Sequence, residues 1–159
     1  MTPTYELVPI DPAVADRLRA EHPDAPVVVA DEQQPGYPCR QCLRDADPGD
    51  ELVLVSHDPF TTTSPYRSAS PIFLHRRPCA PPADTRAIPR QLSVRQLSAR
   101  AFDAEAMMID AAIVPGTDLG ATLARFFADP ATDHVHVHNA TRGCWAVRVD
   151  RTGAFANAG

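Results

Sequence analysis

Asp133-His-Val-His-Val-His-Asn139, followed by Ala140-Thr-Arg-Gly143 and Cys144-Trp-Ala-Val-Arg-Val149, is the stretch on which the fold class turns. Side chains alternate with the two-residue period of a strand on both sides of a glycine-containing loop, which predicts a β-hairpin. Closed on the five-residue loop Asn139–Gly143, the hairpin sets His138 opposite Cys144, His136 opposite Ala146 and His134 opposite Arg148. Val135, Val137, Trp145, Val147 and Val149 then form the core face. The other face collects His134, His136, His138, Cys144 and Arg148.

Working outward, Leu97–Asp103 and Met107–Val114 read as two more strands joined at Ala104-Glu-Ala106. Thr117 or Asp118 can cap a helix whose Leu119, Leu123, Phe126 and Phe127 fall at i, i+4, i+7 and i+8. The segment from about 97 to 150 is therefore β-β-α-β-β. At the other end, Tyr5–Ile10 reads as a strand, and Asp11-Pro12 as an N-cap with proline at the first helical position. Val14, Ala15 and Leu18 give that helix an apolar stripe, His22-Pro23 stops it, and Val27–Val29 follows as a short buried strand. Between about 35 and 89 proline is dense enough to break ladders and helices, leaving loops around strands at Glu51–Ser56 and Pro71–His75. The expected fold class is α+β. It is one domain over 1–159, a mostly antiparallel sheet with two or three helices and a Pro-rich central loop region.

Composition narrows the function classes. With 159 residues, 44% hydrophobic and 22% charged, the chain is an ordinary globular length and not a disordered tail. Its 17 prolines, against a usual level of about 5%, exclude a helical bundle or coiled coil. The net charge is −5 and all 15 basic residues are Arg. No dense basic patch is present, so nucleic acid is not an expected partner. The lack of Lys removes Schiff-base and P-loop chemistry. Neither a secretory leader nor an apolar run of about 20 residues is seen, so a soluble cytoplasmic protein with no membrane partner is expected. Four cysteines in a reducing compartment read as thiols or metal ligands before disulfides.

The main chemical motif pairs Cys39-x2-Cys42 with His75-x3-Cys79. Tetrahedral Zn2+ takes four sulfur or nitrogen ligands, and two close pairs let two loops each supply half of the shell. Glu51–Ser56 pairing with Pro71–His75 would bring the halves together. Buried unligated thiols are the plainer reading, and the one to which residue type alone leans, while His57 is an alternative to His75. Redox use of Cys39-Arg-Gln-Cys42 needs a stabilised thiolate, and Pro48-Gly49 leaves little room for the helix that would provide it.

A second candidate is the histidine strand. His134, His136 and His138 on one face suit an open catalytic metal site, with Cys144 and Arg148 beside them, although no carboxylate completes the set. The bland alternative is a solvated sheet face. Weaker signals are a carboxylate pair at Glu105 and Asp110, and an anion-binding loop at Ser64-Pro-Tyr-Arg-Ser-Ala-Ser70. Surface charge and turn-forming Ser and Pro explain these as well.

Five stretches carry a family resemblance: Gly36-Tyr-Pro-Cys-Arg-Gln-Cys-Leu43, Ser64-Pro-Tyr66, Ser70-Pro-Ile-Phe-Leu-His75, Phe102-Asp-Ala-Glu105 with Met108-Ile-Asp110, and Asn139 with Gly143-Cys-Trp145. Through them nearly the whole chain resembles a bacterial family catalogued as domain of unknown function 1203. The resemblance implies a single small domain of bacterial origin and brings no activity, cofactor or catalytic residue with it. The expected role is a small soluble domain, stapled by zinc, that binds a small molecule or another protein. The alternative is a small metalloenzyme using the histidine strand.

Overall fold

The computed structural model describes residues 5–152, so both ends of the expected 1–159 domain lie outside the described residues. The class is α+β, with eight strands in two antiparallel sheets and three α-helices. The strands are β1 (Tyr5–Val8), β2 (Val27–Val29), β3 (Glu51–His57), β4 (Ser70–His75), β5 (Gln96–Phe102), β6 (Met108–Pro115), β7 (His134–Asn139) and β8 (Trp145–Arg151). The helices are α1 (Pro12–Glu21), α2 (Arg90–Ser93) and α3 (Leu119–Ala128). One sheet has the order β1-β8-β7-β5-β6 and the other β2-β3-β4. Among the described residues no helix is long and apolar enough to cross a membrane.

Local chemistry explains the helix ends. Asp11 Oδ1 accepts the Ala13 N–H at 2.8 Å, and Pro12 opens α1 where no amide partner is needed. The α3 stripe buries Leu119, Leu123, Phe126 and Phe127 against Val135, Val137, Val147 and Val149 of the five-stranded sheet. α1 lays Ala15 and Leu18 on Val53, Val55, Ile72 and Leu74 of the smaller sheet. The expected pairing of the two central strands is present, with Leu52 opposite His75 and Ser56 opposite Pro71.

Three expectations need correction. The strand β2 lies at a sheet edge and is not buried; Val27 and Val29 are 45% and 59% exposed. In the hairpin, His134 pairs with Asp150, His136 with Arg148 and His138 with Trp145, so every predicted partner is displaced. Two residues of shift add up: Asn139 belongs to β7 and donates its N–H to the Cys144 carbonyl, which shortens the loop by one, and an irregularity after Val137 leaves Ala146 as an extra residue in β8. Ala146 and Val147 both face the α3 core, and Trp145 moves to the histidine side, where it joins the core beneath α1. Nor is that side solvated. His134, His136 and His138 are all buried, with Phe102 against the first two rings and Phe60 against His136.

A backbone contact fixes the entry to α3. A Cβ on Gly116 would sit 1.9 Å from the Leu92 carbonyl oxygen and 2.8 Å from that of Arg95, and the Gly116 N–H donates to the Arg95 carbonyl at 2.7 Å. Both obstacles are backbone, so neither can swing aside. Gly116→Ala should destabilise the protein by about 2–4 kcal/mol, read as a lower urea midpoint. An unchanged midpoint would show that α2 and the α3 entry can separate freely.

Candidate metal centre

The cluster is built where a loop is tied to the small sheet. The Cys39 N–H donates to the Arg44 carbonyl at 3.1 Å, closing a tight turn that carries both Cys39 and Cys42. The Arg40 N–H donates to the Phe73 carbonyl, which hangs this turn beside β4. His75 is the last residue of β4, and Cys79 follows after Pro78. The turn requires a left-handed residue after Cys42, and this is Leu43, with φ 57°. Leu43 tolerates a conformation that glycine adopts freely because its side chain is wholly buried in the main core.

The four ligand atoms of Cys39, Cys42, His75 and Cys79 all lie within 4.8 Å of one another, close enough to bind one metal ion. Cys39 Sγ is 3.7 Å from Cys79 Sγ, and Cys42 Sγ is 3.6 Å from His75 Nδ1. Zn–S and Zn–N bonds of the usual length, arranged tetrahedrally, give S···S of about 3.8 Å and S···N of about 3.6 Å. A disulfide would need about 2.05 Å, and all four cysteines are free thiols. Behind the ring, His75 Nε2 is 3.2 Å from Asp50 Oδ2. This is the carboxylate–histidine arrangement that fixes the tautomer of a metal-bound imidazole.

Electrostatics follow from this crowding. Hydrogen bonding from Cys42, then Cys79, pulls the Cys39 thiol well below its ordinary range. Its partner Cys79 is pushed far above, first by the hydrogen bond to Cys39. His75 is raised to about 10, first by hydrogen bonding to Cys39 and then to Cys42. The His75 N–H also donates to Cys39 Sγ at 3.4 Å. A metal ion would replace these protons with one positive centre.

A further layer braces the loops. Gln41 Nε2 donates to the Cys79 carbonyl, and Gln41 Oε1 accepts from Arg19, whose Nε reaches the His75 carbonyl. From α2, Gln91 Nε2 donates to the Cys39 carbonyl. Neither these residues nor Asp50 was expected from the sequence. Gln41 lies inside the motif, but nothing local says where its amide points.

The remaining candidates stay apart from this cluster. His57 packs against the Trp145 ring at 5.4 Å. His134 Nδ1 is 2.7 Å from Asp133, and His138 Nδ1 is bonded to the Gly143 carbonyl. His136 sits among Phe60, Phe102 and Trp145 with both ring nitrogens buried and unbonded. These three histidines do not form a ligand group, and among the described residues the Cys/His cluster is the one that does. Arg148 pairs with Asp150, Glu105 is exposed on its turn, and Asp110 meets Arg125. In the serine loop Arg67 is held by Asp58, and the Ser64 hydroxyl donates to the Ala106 carbonyl. Cys144 lies in the hairpin loop and lines a groove of about 570 Å³ with Arg40, Arg95 and Arg142.

No curated protein and no solved structure matches the chain. Residues 36–151 match the family model described as protein of unknown function (DUF1203), which leaves the opening strand–helix–strand outside the match and includes all four cluster residues. On that match the chain belongs to the DUF1203 family.

Proposed function

We propose that Cys39, Cys42, His75 and Cys79 hold a structural Zn2+, and that the protein is a zinc-stapled domain that binds a small molecule. The observation that carries the zinc reading is the pair of separations, 3.7 Å between two sulfurs and 3.6 Å between sulfur and imidazole. Three sulfurs and one nitrogen are a donor set that zinc favours, and four protein ligands leave no open position for chemistry. The ion ties the Cys39–Cys42 turn to the end of β4. Four free cysteines suit the reducing cytoplasm. Binding is supported by the adjoining groove, whose volume falls in the range of about 300–1,000 Å³ typical of small-molecule sites.

Elemental analysis of protein purified without an affinity tag tests the zinc reading. Zinc stoichiometric with the chain, lost on Cys39→Ser and kept on His136→Ala, is the expected result. Metal kept on Cys39→Ser but lost on His136→Ala would replace the staple with the histidine metalloenzyme. Protein that carries no metal and takes up no added zinc would reduce the cluster to packed thiols.

A further inference from the structure

Of the two residues between Cys39 and Cys42, Gln41 braces the cluster and Arg40 turns away from it toward the groove. Arg40 is 2% exposed, yet it lines the 570 Å³ groove. Its Nε donates to the Trp145 carbonyl at 2.9 Å and its Nη1 to the Pro38 carbonyl at 2.6 Å. These bonds fix the guanidinium without neutralising it, and among the described residues it makes no ion pair with a carboxylate. Asp45 and Cys39 lie near enough to favour its charge without bonding to it, and a buried cation whose hydrogen bonds go to carbonyl dipoles gains further from an anion that meets it directly.

Two further guanidinium groups line the groove, Arg142 and Arg95, of which Arg95 is already paired with Asp45. Arg95 reaches the Gly36 carbonyl at 2.7 Å and Asp45 at 2.9 Å. Arg142, on the loop between β7 and β8, is exposed at the same groove. Not one described lining residue is Asp or Glu, although acidic residues outnumber basic ones 20 to 15 in the chain. One stretch of the remaining wall is apolar. Tyr37 and Phe73 meet edge to face at 5.7 Å, beside Leu54 and Pro71. Asn139 also lines the groove, and its Oδ1 is buried without a partner.

We propose that this groove binds a small molecule with an oxyanion head, carboxylate or phosphate, received by Arg40 with Arg95 and Arg142, and an apolar body lying on Tyr37 and Phe73. Guanidinium presents a planar fork of donors that matches either oxyanion in two-point contact, which a point charge would not. The inference rests on the small-molecule reading of the groove and not on the identity of the metal.

The test is an NMR titration of the metal-loaded protein that follows arginine Nε–H signals, with inorganic phosphate and benzoate as probes and chloride at matched ionic strength as baseline. Saturable shifts confined to Arg40, Arg95 and Arg142 are expected, with affinity falling at least ten-fold in Arg40→Met. Should that variant not fold, the exposed Arg142→Glu must weaken binding several-fold at unchanged zinc content. Tighter benzoate assigns a carboxylate on an apolar body, and tighter phosphate a phosphate ester. Shifts that do not saturate, or that spread equally to arginines outside the groove such as Arg17 and Arg86, overturn the proposal. Zinc-loaded protein that binds neither probe defeats this inference alone. Protein that carries no metal, takes up no added zinc and still binds a probe defeats the zinc reading alone.

Discussion

Stripping zinc from the Cys39–Cys42–His75–Cys79 cluster is expected to lower the thermal midpoint of the protein by about 8–16 °C. A ligand held a thousand-fold above its dissociation constant stabilises the fold by about 4 kcal/mol. In a domain of this size each kcal/mol moves the midpoint by roughly 2–4 °C. The loss should be local before it is global. The main core, from Tyr5 and Leu7 through α3 to Val149, contains no cluster ligand, whereas His75 ends β4 and Cys39 lies against Phe73. Hydrogen exchange in the chelated protein should therefore lose protection first in Glu51–His57 and Ser70–His75, with β5, β7 and β8 retained. An identical midpoint and identical exchange with and without chelator would remove the staple from the account of stability.

Acid is expected to destabilise the protein by about 5 kcal/mol between pH 7 and pH 4.5, and the buried histidines are the reason. Burial pushes His136 down to about 3 and His138 down to about 4, and lowers His134 as well. For His136 the neighbouring His134, His138, Arg148 and Arg100 add repulsion in the same direction. The folded state keeps these rings neutral, whereas the unfolded chain protonates them below its ordinary value of 6.5. Stability is then fully present above 6.5 and falls with pH, levelling off for each ring only below its own depressed value. At pH 4.5 each of His136 and His138 has lost about 2–3 kcal/mol, at roughly 1.4 kcal/mol per unit. That is a large part of a total stability of about 5–15 kcal/mol.

Urea midpoints at the two pH values, both in excess chelator so that metal release contributes to neither, measure this loss together with the contribution of Cys39 and His75, which parent and variant share. His136→Phe should reduce the total by about 2–3 kcal/mol. The same substitution should raise stability at pH 7 by about 1–3 kcal/mol, because two buried ring nitrogens without partners are removed from an aromatic enclosure. A variant with the full acid sensitivity of the parent would show that His136 is not the group that resists protonation.

The elements themselves were legible in the residues. Asp11-Pro12 placed the start of α1, and the i, i+4, i+7, i+8 spacing of Leu119, Leu123, Phe126 and Phe127 placed α3. Each signal depends on neighbours within one or two turns. The pairing of Cys39 and Cys42 with His75 and Cys79 was legible as a ligand spacing, and the fold brings those four atoms together. The histidine strand misled because alternation gives two faces without saying what covers either. Its register depended on a loop one residue shorter than expected and one extra residue in β8, and the burial of His136 on Phe60, a residue of a distant loop.

The same division runs through the groove. Arg40 was visible only as one of two residues between cysteines, and its direction is set by carbonyls at Pro38 and Trp145, the latter 105 residues away. Asp50 behind His75 and Gln91 behind Cys39 are likewise long-range partners. Periodicity, caps and ligand spacing are short-range properties of the chain and survive without its fold. Solvent exclusion and uncompensated charge are sums over neighbours that only folding assembles, so the covered histidines and the cationic groove emerged with the packed molecule.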